Sequence, residues 1–168
     1  IVNIGSRIKG HTNILTDYES GFSELFKHLY HVHGYRRILF VRGPKNHASS
    51  EERMLVYKKL LAQYDLPFND DMVIYANLNK VSAEVEIAAF LQKNNTPFDA
   101  IIAINDDQAI GIIEQLQIKG IKVPEDVAVI GSMDTLEGAF ATSPLTSIQE
   151  PLFELGRAAA TELINQIE

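Results

Sequence analysis

In the stretch FDAIIAINDDQAIG, residues 98–111, an apolar strand-like run ends directly on Asn105, Asp106 and Asp107 before apolar residues resume. Two chemistries fit three polar side chains at a strand-to-helix junction. They cap the helix, satisfying N–H groups that have no intrahelical partner, or they line a ligand site. Asn105 carries a donor and an acceptor in one amide, which suits a pair of sugar hydroxyls. Arg53 offers a rigid fork of donors for ring or exocyclic oxygens, and Ser49, Arg53 and Tyr57 are spaced to share one helix face. On local sequence alone, capping and ligand contact are evenly matched.

Other reactive constellations are weaker. His28, His31 and His33 fall near a helix end with no obvious third ligand, and read as a solvated terminus. Asp106 and Asp107 resemble the acidic pair of phospho-acceptor receiver domains, but that chemistry needs the pair after the first strand and a lysine after a late one. Ser132 in IGSMD lacks a G-x-S-x-G elbow and a downstream histidine, and no Gly-rich phosphate loop is present. Catalysis therefore has no support in the motifs, and neither a cofactor nor a metal is expected.

Composition narrows the partners. The 168 residues are 46% hydrophobic and 22% charged, enough apolar surface for a buried core, and the formal net charge is −7. Such a balance leaves no basic footprint for phosphates, so direct nucleic-acid contact and an anionic membrane are both poor partners. With no cysteine there is no disulfide scaffold, thiolate zinc site or thiol catalysis, which suits a reducing compartment such as the cytoplasm. No apolar run approaches the roughly 20 residues that span a bilayer.

These side chains need a scaffold, and strand-then-helix alternation supplies one. RILFV (37–41) precedes a helix over 49–65, in which Met54, Tyr57, Leu61 and Tyr64 recur at helical spacing. MVIYA (72–76) precedes a helix over 82–94, with Ser82 as the expected N-cap. AIIAI (100–104) precedes a helix that stops at Gly120, and VAVIG (127–131) closes the series. Apolar runs without polar alternation predict a parallel sheet buried on both faces, so the expected fold class is α/β, doubly wound. The flanks hold the short strand candidates IVNIG and NILTD, a helix-like YESGFSELFKHLYHVHG, the strand-like LTSIQ and a helix from Pro151. In an open parallel sheet ligands bind at the carboxyl ends of the strands. Here those ends lead into RGPKNH, NLNK, NDD and SMD.

HGYRRILFVRGP, SSEERMLVY, FDAIIAINDDQAIG, GIKVPEDVAVIGSMD and SPLTSIQEPLFELGRAAA, in this order and spacing, resemble the effector-binding region of LacI/GalR-type transcriptional regulators over nearly the whole chain. That family is similar to periplasmic sugar-binding proteins, in which two α/β lobes joined by crossover strands clamp a small ligand. The resemblance implies that residues 36–148 form the C-terminal lobe. Residues 1–35 would belong to the N-terminal lobe, and residues 149–168 would be a helix returning to it. The remainder of that lobe and a helix-turn-helix headpiece would precede Ile1, and the protein would be a cytoplasmic homodimer that reaches DNA only through the headpiece. Its partner would be a small-molecule effector.

By the same resemblance, Arg53 matches the arginine that binds sugar hydroxyls and Asn105 the asparagine of the family's A-N-D turn. Ser49 and Leu78 match cleft positions that are usually polar and aromatic, so Leu78 lacks the usual stacking ring. Met133 stands where the first Asp of G-F-D-D is common and Asp134 keeps the second, while Glu150 stands where Gln is common. Met133 either floors the cleft, favouring a ligand with an apolar, deoxygenated or anionic character, or packs into the core. HVHGYRRILFVRGP, with Arg42 before Gly43, is also similar to sensors in diguanylate cyclases and histidine kinases. A transport-type periplasmic binding protein and an enzyme on the same fold are the remaining alternatives.

Overall fold

The computed structural model describes residues 1–93 and 96–167. Its centre is a five-stranded parallel sheet made of β3 (Ile38–Arg42), β4 (Val73–Tyr75), β5 (Ala100–Ala103), β6 (Ala128–Ser132) and β7 (Thr146–Ile148), in the order β4-β3-β5-β6-β7. Register pairs Phe40 with Val73 and Ile102, and Ile102 with Ile130. Every residue of β3 and β5 is buried, which is why these runs carry no polar alternation. The period of two still sorts them. Ile38, Phe40, Ala100, Ile102 and Ile130 face one core; Leu39, Val41, Ile101, Ala103 and Val129 face the other.

The first core is closed by α1 (Tyr18–Lys27) and α2 (Ala48–Gln63), the second by α3 (Lys80–Lys93) and α4 (Asp106–Ile118). The expected doubly wound α/β class is therefore the observed one. Gly111 lets α4 lie tightly on α3, because a Cβ there would come 2.7 Å from the Lys80 carbonyl oxygen. α4 ends as expected at Gly120, whose φ of +77° lets Ile121 N–H return to the Leu116 carbonyl at 2.9 Å. The short α5 (Leu136–Ala139) follows β6.

One expectation about the helices is corrected. Ser82 lies inside the first turn of α3; the cap is Asn79, whose side chain accepts from Ser82 N–H at 2.9 Å. The expected end of that helix at Asn94 lies outside the described residues. On the amino-terminal side of residue 36, α1 buries Phe22, Leu25 and Phe26 with Ile38, Phe40 and Tyr57, the Phe22 and Phe40 rings meeting edge-on at 6.3 Å. An amphipathic helix packs where apolar surface is offered, and the β3 face offers it.

Away from the sheet, β1 (Val2–Ile4) and β2 (Thr12–Ile14) form a separate parallel pair, and α6 (Leu152–Asn165) packs on both. After α1 the chain makes one π-helical turn, His28–Val32.

Candidate functional site

Parallel strands put all their carboxyl ends on one edge, and the segments leaving β3, β5, β6 and β7 meet there. Arg53, on the second turn of α2, reaches across this edge. One guanidinium nitrogen donates to the Ile104 carbonyl and the other pairs with Glu150. The two side chains are only 6% and 10% exposed, so the pair is largely out of water and its formal charges cancel. Ser132 Oγ donates to the same Glu150 oxygen at 3.4 Å, and the Arg53 guanidinium lies 4.1 Å above the Tyr18 ring. Among the described residues, the buried Arg53 Nε has no hydrogen-bond partner. A buried donor left open costs free energy unless something arrives to accept from it.

Asn105 and its two neighbours divide the roles that local sequence left open. Asn105 caps α4, its Oδ1 accepting from Gln108 N–H at 2.8 Å, while its Nδ2 faces the Leu78 carbonyl at 3.4 Å. Asp107 is exposed. Asp106 is fully buried and accepts from Thr135 N–H at 2.7 Å, Thr135 Oγ1 at 2.9 Å and Ser147 Oγ at 2.6 Å. It therefore ties the loop after β6 to β7. Gly131 is required there, since a Cβ would fall 2.1 Å from Asp106 Oδ1.

That loop carries Met133 and Asp134, with φ of 110° and 54°. Such angles cost about 1–3 kcal/mol in non-glycine residues and persist where surroundings enforce them. Here Met133 N–H donates to the Ile148 carbonyl at 2.9 Å, and Asp134 N–H to Ser147 Oγ at 3.0 Å. Met133 is 40% exposed, so it does not pack into the core. Leu78 is 36% exposed beside Gly43, and Ser49 is half-buried one turn before Arg53.

Of the residues singled out in the sequence, direct side-chain pairing joins Arg53 to Glu150, and Asn105 meets Leu78 through its backbone. Tyr57 does not join them: its hydroxyl donates to the Ile38 carbonyl at 2.8 Å, and burial pushes its acidity far below normal. Tyr18 and Ser132 carried no local signal as site residues, because each matters only through Arg53 or Glu150. Arg42, which motivated the signalling-enzyme comparison, is buried, bonded to Ser50 Oγ at 3.1 Å and Glu51 at 2.5 Å. Its role is to brace α2 on β3, and its hydrogen bond holds the Glu51 carboxyl below the usual range.

Residues 26–168 match the family described as periplasmic binding protein-like domain. The chain is 30% identical over 135 residues to the HTH-type transcriptional regulator AscG of Escherichia coli K12, covering 80% of this chain and 40% of that protein. It is 30% identical over 159 residues to the HTH-type transcriptional repressor PurR of Aliivibrio salmonicida, covering 94% and 47%. The chain thus spans less than half the length of these relatives. Among solved structures, the transcriptional regulator CelR–cellobiose complex superposes with a TM-score of 0.88 at 27% identity, over 99% of this chain and 51% of that one. The Escherichia coli repressor AscG gives 0.86 at 26% identity, over 98% and 60%. With its family match and its five-stranded parallel sheet in agreement, the chain belongs to the periplasmic binding protein-like domain family, in the form carried by LacI/GalR-type transcriptional regulators.

Proposed function

We propose that this chain is the effector-sensing part of a cytoplasmic transcriptional regulator, binding a small neutral polyhydroxylated molecule at the strand carboxyl ends. The observation that carries the reading is the Arg53–Glu150 pair at that edge, with Arg53 Nε buried and unpartnered among the described residues. A pair whose charges cancel offers donors and acceptors to hydroxyls without attracting an anion. This argues against the anionic ligand that Arg53 alone suggests. Met133 and Leu78 add apolar surface, which fits a ligand with a deoxygenated or hydrophobic face. CelR, solved with cellobiose, is a relative of this kind.

In this reading residues 18–148 form one lobe of a clamp, and β1, β2 and α6 belong to the other. Closure shifts the geometry given to a DNA-binding headpiece by as much as the ligand's affinity differs between open and closed forms. The acidic chain itself leaves DNA to that headpiece. Among the described residues no catalytic constellation supports an enzyme. A homodimer is also part of the proposal. On α2, Met54 and Leu61 are buried but Leu55 is 68% exposed; it is a candidate contact together with Leu136 and Phe140, 74% and 85% exposed, and Val81 and Val85 on α3.

The test is a thermal-shift screen of the intact gene product against hexoses, deoxy-sugars and small carboxylates, followed by calorimetry on Arg53→Ala and Met133→Asp. A neutral ligand whose affinity falls at least tenfold in Arg53→Ala is expected. Unchanged affinity would refute the site.

A further inference from the structure

We propose that His28 and His33 form a chelating pair for a borderline divalent cation such as Zn²⁺, Ni²⁺ or Cu²⁺, on the side of the sheet opposite the effector edge. In a regular α-helix a step of five residues turns about 140° away from the starting direction, which would separate these side chains. The π-helical turn over His28–Val32 removes that offset: its bond runs from His33 N–H to the His28 carbonyl, five residues back, at 3.4 Å. Inserted turns of this type recur at functional sites. The two Nε2 atoms then lie 3.0 Å apart, with the rings at 78° and their centroids 4.7 Å apart.

Two imidazole nitrogens each about 2.0–2.1 Å from one ion lie about 3.0–3.4 Å from each other. The observed separation sits at the near end of that range, so little movement is needed to seat a cation between the two nitrogens. His33 is held in place by stacking on Tyr35, 5.2 Å between centroids and 17° between planes. Both histidines border a cavity of about 250 Å³ that Leu25, Leu29 and Val129 also line, which leaves room for further ligands on the ion. Among the described residues no group of three or more His, Cys, Asp or Glu could hold a metal, so water or a donor from another molecule would complete the coordination. A two-imidazole site of this kind favours Zn²⁺, Ni²⁺ and Cu²⁺ over Mg²⁺ or Ca²⁺, which require oxygen. His31, three residues from His28, is turned away and meets the rings of Tyr30 and Tyr64 at 5.0 and 5.8 Å, which makes it the internal control.

The experiment is a calorimetric titration of the intact gene product, without a polyhistidine tag, with Zn²⁺ and Ni²⁺, alongside His28→Ala, His33→Ala, His33→Gln and His31→Ala. One equivalent per chain is expected, with affinity lowered at least tenfold in each variant of His28 or His33 and unchanged in His31→Ala. Circular dichroism identifies any variant that fails to fold, and His33→Gln keeps the polar contact while losing the ligand. Equal loss in His31→Ala, or no loss in the other three, overturns the site. Binding of a sugar effector at Arg53 should be unaffected by all four substitutions.

Discussion

Removing Arg53 would strand the Glu150 carboxylate. Glu150 is 10% exposed, and its other hydrogen bond is from Ser132 Oγ at 3.4 Å. Breaking a buried pair from one side costs about 3–5 kcal/mol. For a chain of this size each kcal/mol moves the melting temperature by about 2–4 °C, so Arg53→Ala should lower it by roughly 6–20 °C. Glu150→Gln is milder. The amide oxygen still accepts from Arg53, and the loss is the difference between a charged hydrogen bond and a neutral one, about 1–2 kcal/mol. Replacing both, as Arg53→Met with Glu150→Leu, leaves no orphaned charge and should recover about 2–3 kcal/mol of the summed single losses. Glu150→Gln also unmasks the guanidinium. At an effective dielectric of about 20, a carboxylate ligand about 5 Å from Glu150 escapes a repulsion of about 3 kcal/mol, so small carboxylates should bind at least tenfold more tightly. Urea unfolding of the ligand-free protein, followed by circular dichroism, gives the stabilities, and calorimetry gives the affinities. If the Arg53 and Glu150 losses add to within about 0.5 kcal/mol and Glu150→Gln gains nothing for carboxylates, the pair does not set the charge of the site.

Asp106→Asn should destabilise by about 2 kcal/mol or more, because an amide cannot accept all three of the bonds from Thr135 and Ser147; hydrogen exchange at residues 133–135 should rise with it. Gly131→Ala should cost about 1–3 kcal/mol from the clash with Asp106 Oδ1 and Leu145, read by thermal unfolding. Phe140→Glu should convert a dimer to monomer in sedimentation, leaving the melting temperature of an already exposed position little changed. Asp99 titrates below the ordinary carboxylate range: burial alone would raise it, but the Arg37 side chain and the Arg36 and Arg37 N–H groups outweigh that. A depressed folded-state acidity gives stability that is present above the unfolded value near 4 and lost as pH falls through the folded one. The advantage of the native chain over Asp99→Asn should therefore hold at pH 7 and shrink below about pH 4.

Much of the architecture was legible in the chain. RILFV, AIIAI and VAVIG announce central strands because both faces of a parallel sheet are buried and no polar alternation survives. Gly120 marks the end of α4 because that position needs a positive φ. The place proposed for the site follows from the same reading, since parallel strands put their carboxyl ends together. Its charge does not. Arg53 and Glu150 are 97 residues apart, and neither has a neighbour in sequence that predicts the other. Whether Asn105 and Asp106 cap, clamp or bind depended likewise on Gln108, Thr135 and Ser147 arriving at the same edge. The same holds for α1, whose apolar face fits any apolar sheet, and for His28 and His33, which regular helical spacing keeps apart. Local residue preferences fix periodicity and turns within a few residues, whereas the partner of a buried charge is chosen by which strand ends the folded topology brings into reach.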